Sequence, residues 1–249
     1  MIIVKLKGGL GNQMFQYAHG RNLSYRGKTV LKLDKSFFKN TIWQRIIGVT
    51  SRKYELGEFN INAKLTDKKY KNILEGYWQN EKYFKDIRKT ICEDFTLKKE
   101  SSNFKKSAKI ISQTHSVSVH FRRGDYAEKR KTQKYHGLLD TNYYQRALDI
   151  INEKVKNPHF FVFSDNPSWV KKNLSINKPL TVISGFHKLT NPEELILMSL
   201  CKHNVIANSS FSWWGAWLNK NSKKIVIAPK RWFRAKIDSE IVPQSWIRL

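Results

Sequence analysis

Two arginines stand where a strand should end. In HFRRGDY, residues 120–126, Arg122 and Arg123 follow the apolar alternation SVSV, so the pair sits at the carboxyl end of a strand, where ligands of α/β proteins bind. A guanidinium fork matches phosphate oxygens bidentately and keeps its charge, which makes a phosphate-bearing ligand the chemistry to expect. The competing reading is a surface loop whose arginines pair with nearby carboxylates, an arrangement that is common and worth little. Three other segments fall at comparable places: GGLGNQ at 8–13, FSDNPSW at 163–169 and ANSSFSWWGAW at 207–217. In the last, Asn208, Ser209 and Ser210 precede an aromatic helix, so amides and hydroxyls converge at a helix amino terminus and offer a second anion site. Simple capping by Ser209 or Ser210, with Trp213, Trp214 and Trp217 as core, is the alternative there. Asp165 suits a ribose or base, yet Asp before Asn-Pro is also an ordinary turn former. GGLGN matches neither GxGxxG nor GxxxxGK[ST], so the fingerprints of dehydrogenases and P-loop enzymes are absent. The tripeptide Arg123-Gly124-Asp125 spells an adhesive motif, but short strings recur by chance and this one abuts a strand.

The elements that must position these residues alternate. Ile2 to Leu6 reads as a buried strand, the glycine-rich turn follows, and a helix begins near Asn12 with Phe15, Ala18 and Leu23 near one face. Gly27 stops it before the VLKL strand. Residues 35–75 show no sustained period, and 73–84 reads as a strand end, a loop and a helix start, with the helix running to about Phe95. The stretch KKESSNFKKS at 98–107 has linker composition, which divides the chain into 1–107 and 108–249. Beyond it, strands at 117–121, 160–163, 180–183, 204–207 and 225–227 alternate with helices near 141–155, 166–173, 192–202 and 210–219, the pattern of a doubly wound parallel sheet. Thr141 is the expected cap of one helix, and Asn191 with Pro192 and Glu193 that of another.

Composition narrows the class. At 249 residues with 13% aromatics the chain has material for packed cores. Its formal charge of +26 favours polyanions, but most of the excess is scattered Lys, which also suits a solvated surface. A nucleic-acid binder would interleave basic and aromatic residues along one face, whereas here the arginines gather at strand ends. Cys92 and Cys201 form no CxxC or Cys/His cluster, so neither a disulfide framework nor a zinc site is indicated and a reducing, cytoplasmic compartment is expected. The amino-terminal apolar run is too short for a signal peptide or anchor.

Taken in order, GGLGNQMFQYA, HFRRGDY, FSDNPSW, ELILMSLCKHNVIANSSFSWWGAWL and IAPKRWF resemble bacterial galactoside α-1,2-fucosyltransferases, glycosyltransferase family 11, from Met1 to about Trp246. The resemblance implies an α/β fold of GT-B type, two Rossmann-like domains facing each other across a cleft. Residues 1–107 would form the acceptor side and 108–249 the GDP-fucose-binding domain, with the chain's end packing back on the first. It implies inverting transfer of L-fucose from GDP-fucose to the 2-hydroxyl of a terminal β-galactoside, with no metal and no cofactor beyond that co-substrate. A galactose-terminated glycan of surface polysaccharide (O-antigen) synthesis, lipid-linked at the inner membrane, is the partner to expect, and nucleic acid is not. Carried over by position, Arg122 is the ligand of the diphosphate, supported by His120 and Arg123. Asn208, Ser209, Ser210 and Phe211 surround phosphates and fucose, and Asp165 lies near the nucleoside. Gly9, Asn12 and Gln13 belong to the cleft or acceptor side. Asp125 is the candidate base, the departing phosphate being the alternative proton acceptor. Asn166 stands where the family commonly has a second acid, and the chain is somewhat short for the family.

Overall fold

The computed structural model describes residues 1–39, 52–68, 70–124, 137–173, 177–185, 188–234 and 240–249. It divides into two compact units, Met1–Lys99 and Glu100–Leu249. The division falls ahead of the 107/108 boundary that linker composition suggests, because the lysine- and serine-rich stretch is helical. Ser101 caps a helix over Ser102–Ser112 by accepting from the Phe104 N–H. The Ser101 N–H in turn donates to Glu193 at 2.8 Å, which ties this stretch into the second unit.

In the first unit, β1 (Ile2–Lys5) leads through the glycines into α1 (Leu10–Arg26). The helix starts two residues before Asn12 and buries Met14, Phe15, Tyr17 and Ala18. β2 (Leu31–Asp34) and β3 (Lys64–Thr66) pair in parallel in the order β1-β2-β3. A further helix, α2 (Arg88–Asp94), places Asp94 where it accepts from the Tyr17 hydroxyl at 2.6 Å and from Arg21 Nε at 2.9 Å. That buried cluster fastens α1 to the end of the unit. Residues 40–51 and 69 of the stretch without a sequence period lie outside the described residues. The described part holds short 3-10 turns, the three residues of β3 and isolated bridges at Phe59 and Leu74.

The second unit, after α3 (Ser102–Ser112), is built on β4 (His115–Phe121), α4 (Thr141–Lys154), β5 (Pro158–Ser164), α5 (Pro167–Asn173) and β6 (Leu180–Val182). α6 (Asn191–Leu200), β7 (His203–Val205), α7 (Ser210–Leu218), β8 (Val226–Ala228) and β9 (Ile247–Arg248) complete it. All pairs in its sheet are parallel, in the spatial order β6-β5-β4-β7-β8-β9. The chain therefore winds outward from β4 in one direction, returns, and winds outward from β7 in the other. The order reverses between β4 and β7, and this is where an open sheet leaves a crevice. Val117, Val119, Phe160 and Val162 on the sheet pack with Ala147, Leu148 and Ile151 of α4, all of them buried.

Two expectations are corrected. The cap of α4 is Asp140, which accepts from the Tyr143 N–H at 2.9 Å, rather than Thr141. The cap of α6 is Thr190, whose capping box with Glu193 displaces Asn191 into the first turn. The chain's end forms β9 at the edge of the second sheet, and Trp246 packs 5.6 Å from Trp213. Among the described residues no helix is long and apolar enough to cross a membrane.

Candidate functional site

The site is assembled at the reversal in strand order. β4 and β7 are neighbours, with Val119 opposite Val205, so the residues that follow each strand leave the sheet side by side. After β4 come Arg122 and Arg123, and after β7 come Asn208 and Ser209 at the head of α7. The His120 and Phe211 rings lie 5.7 Å apart, which brings the end of β4 against the first turn of α7.

Asp165, at the end of β5, organises the arginines. Its Oδ2 lies 3.0 Å from Arg122 Nη1 and its Oδ1 accepts from the Arg123 N–H at 2.8 Å. The carboxylate thus braces both the side chain and the backbone of the loop. It also bears on the next residue: a Cβ at Gly124 would stand 2.8 Å from Asp165 Oδ2, so a larger residue there would push the bracing carboxylate aside. A guanidinium has five N–H donors, and the Asp165 contact fixes the orientation in which Arg122 is held at the end of β4. The sequence reading put Asp165 near a nucleoside; the structure gives it this bracing geometry. Arg123 turns the other way, its guanidinium carbon 3.7 Å from the centroid of the Trp169 ring on α5, a cation–π contact.

His120 is buried, and its Nδ1 has no hydrogen-bond partner among the described residues. Burial pushes its pKa well below the ordinary value; the nearby Asp165 charge opposes this and Arg122 adds to it. The imidazole is therefore neutral near pH 7, adds no positive charge beside Arg122, and is too weak a base to collect a proton there.

α7 begins without a side-chain cap on Ser209. Its first-turn amides are thus not claimed by that hydroxyl, as simple capping would have required, and they carry the positive end of the helix dipole. The tryptophans behind them are core: Trp213 and Trp214 are fully buried, and the Trp213 indole N–H donates to the Ile241 carbonyl at 2.8 Å. Asn208 faces inward, its amide reaching the carbonyls of Trp232 at 3.3 Å and Gly137 at 3.5 Å. Asn208 thus holds the surrounding loops, while Ser209, Ser210 and Phe211 start the helix.

Several supports had no readable signal. The Tyr143 hydroxyl donates to the Ile206 carbonyl at 2.6 Å, and the Tyr144 hydroxyl to the His120 carbonyl at 3.1 Å. Adjacent residues of α4 thereby hold the ends of β7 and β4. A relay of the Ser164 N–H to Ser184 Oγ and the Ser184 hydroxyl to Glu194 Oε2, at 2.9 and 2.6 Å, steadies the turn that carries Asp165. Burial pushes the Glu194 carboxyl up to about 7.

In the first unit, Gln13 is fully buried, and its Nε2 donates to the carbonyls of Gly8 at 3.0 Å and Lys53 at 2.8 Å. Its Oε1 accepts from the Glu55 N–H at 3.0 Å. Both amide hydrogens are consumed by backbone, so Gln13 clamps the glycine turn and does not present donors to a ligand. Gln13→Ala is expected to destabilise the protein by about 2–3 kcal/mol, since buried carbonyls lose their donors, with turnover by the folded protein little changed. Urea titration paired with activity at low denaturant checks this; lost turnover at unchanged stability would return Gln13 to the ligand-binding set. Asn12 accepts from Gln79 Nε2 at 2.7 Å, and Gly9 is the cap of α1. Asp125 lies outside the described residues.

The family model described as glycosyl transferase family 11 matches residues 1–249. A protein of Escherichia coli named alpha-1,2-colitosyltransferase is 35% identical, the match covering 100% of this chain and 99% of that one. The O-antigen biosynthesis glycosyltransferase WbnK, also of Escherichia coli, is 30% identical over 98% of this chain and 99% of its own length. Among solved structures, E. coli ADP-heptose lps heptosyltransferase II superposes with a TM-score of 0.50 at 10% identity, covering 100% of this chain and 90% of that one. This last likeness bears on the fold, α/β of GT-B type.

Proposed function

The chain belongs to glycosyl transferase family 11, and from that premise we propose that it moves L-fucose from GDP-fucose to the 2-hydroxyl of a terminal β-galactoside, with inversion, in the synthesis of a surface polysaccharide such as O-antigen. One observation carries the reading: a braced arginine, Arg122 held by Asp165, ends β4 at the strand-order reversal, beside a helix whose cap residue leaves its first-turn amides to a ligand. Departure of GDP puts growing negative charge on the diphosphate while the sugar takes oxocarbenium character. Fixed donors aimed at that charge are the largest catalytic term in comparable sites. Arg122 and the amides of Ser210 and Phe211 would supply them, which supports a reaction that needs no metal. The acceptor hydroxyl loses its proton as it attacks. With His120 neutral and weakly basic, Asp125 or the departing phosphate is left for that role.

A second reading concerns the donor sugar. The relative at 35% identity is named a colitosyltransferase, so colitose competes with fucose as the transferred group. Incubation with GDP-fucose and with GDP-colitose, each with a panel of β-galactosides and excess chelator, separates them. Transfer from GDP-fucose with an α-1,2 linkage by NMR is the expected result. Preference for GDP-colitose would reassign the donor, arrest by chelator would overturn metal independence, and failure to bind GDP would overturn the whole reading.

A further inference from the structure

The first unit carries a second reversal of strand order. Leu74 bridges to Val4 in parallel, its N–H donating to the Ile3 carbonyl at 2.9 Å and its carbonyl accepting from the Lys5 N–H at 3.0 Å. β2 lies on the opposite flank of β1, where the Leu6 N–H meets the Asp34 carbonyl at 2.9 Å. In space the segment at Leu74 precedes β1, β2 and β3, so the order reverses between it and β1. The crevice at such a reversal lies beyond the carboxyl ends of the strands. Residues 76–80, GYWQN, leave the sheet at that edge beside Lys7 and the start of α1.

This loop is held from several sides. Gln16, fully buried on α1, donates Nε2 to the Gly76 carbonyl at 3.0 Å and accepts the Lys7 N–H at 2.9 Å. Gln79 donates to Asn12 at 2.7 Å, and the Asn80 N–H turns back to the Trp78 carbonyl at 2.8 Å. Trp78 has φ of +47°, a left-handed conformation that is strained for a bulky residue and persists where surroundings support it. His19 stacks on the Trp78 rings at 4.6 Å, with Tyr83 edge-on to His19 at 5.1 Å. Gly76 packs closely as well: a Cβ there would stand 3.0 Å from the indole, which would have to shift to admit it. Strain and support together present Tyr77 outward: it is 44% exposed, and Lys7 Nζ lies 5.1 Å from its ring centroid.

A half-exposed aromatic ring with an ammonium beside it, on a loop where the Gln79 and Asn12 amides also meet, suits a sugar ring, whose C–H face packs on the aromatic while its hydroxyls reach polar groups. A protein partner would instead call for a wider apolar surface, whereas this loop has polar groups along it: Lys7 at the Tyr77 ring, the Lys5–Glu75 ion pair at 2.7 Å two residues before it and the Gln79–Asn12 hydrogen bond two residues after it. We propose that residues 76–80 with Lys7 and Asn12 form a saccharide subsite with Tyr77 as its platform. Identification of that saccharide as the acceptor rests on the transferase reading above.

Saturation-transfer NMR on the full chain, with methyl β-galactoside and lactose as probes and GDP present, tests the subsite apart from chemistry. Both probes are expected to bind, Tyr77→Ala to weaken them at least tenfold, and Tyr77→Phe to restore them. In turnover, Tyr77→Ala is expected to raise acceptor KM by a similar factor while donor KM and acceptor-free donor hydrolysis stay within twofold. Saccharide binding that ignores Tyr77, or no binding of either probe to the wild type, would overturn the subsite. Tyr77-dependent binding in a protein that transfers no sugar from any donor would keep the subsite and remove the transferase reading.

Discussion

Arg122→Ala is expected to reduce kcat/KM for sugar transfer by about 10²–10³-fold, the range found when one preorganised donor to a developing oxyanion is removed. The loss should fall mainly on kcat, because charge on the diphosphate grows as the sugar departs and Arg122 meets that growth more than it meets the ground state. Stability should change little: the Arg122–Asp165 pair is partly exposed, with side chains 20% and 24% accessible, and such pairs contribute about 0–1 kcal/mol. Arg122→Lys keeps the charge but loses the fork that lets one face pair with Asp165 while the other meets phosphate, so it should recover only part of the activity. Steady-state kinetics beside thermal unfolding checks the pair of variants. A folded Arg122→Ala enzyme with near-normal turnover would remove the diphosphate-binding role.

The position of that arginine was legible because its signal is local: an apolar alternation ending in two guanidinium groups needs no knowledge of the rest of the chain. What braces it was not, since Asp165 lies 42 residues beyond Arg123 and reads in sequence as a turn former before Asn-Pro. The same limit explains Gln13 and Asn208. Sequence shows an amide at the right place in a motif, but not that both hydrogens of Gln13 are taken by the carbonyls of Gly8 and Lys53. Helix starts slipped by one residue because Asp140 and Thr141, like Thr190 and Asn191, are adjacent residues that can both cap, and only geometry chooses between them. Alternating strands and helices gave the parallel sheet, while β9 was missed because two residues, Ile247 and Arg248, carry no period. In residues 35–75 the described strand β3 is three residues long and mostly exposed, so it has no apolar alternation to read.

Asn204→Leu should lower stability by about 3–5 kcal/mol, a large part of the 5–15 kcal/mol that holds a typical domain together. Asn204 on β7 is fully buried, and its Nδ2 donates to Ser118 Oγ on β4 at 2.7 Å and to the Met198 carbonyl on α6 at 2.8 Å. Its Oδ1 accepts from Asn219, just beyond α7, at 2.7 Å. One amide therefore joins the two strands that flank the crevice to the helices that follow β6 and β7. Leucine keeps the γ-branched shape but leaves a hydroxyl, a carbonyl and an amide hydrogen without partners in a dry interior, where each unmade bond costs about 1–3 kcal/mol. Urea unfolding should show a lower midpoint at unchanged slope. Pairing the change with Ser118→Ala provides an internal check: removing the orphaned hydroxyl as well should make the double variant less damaged than the two singles added together. Strict additivity would mean that Asn204 and Ser118 act independently, and that β4 and β7 are joined at the site by their backbone ladder alone.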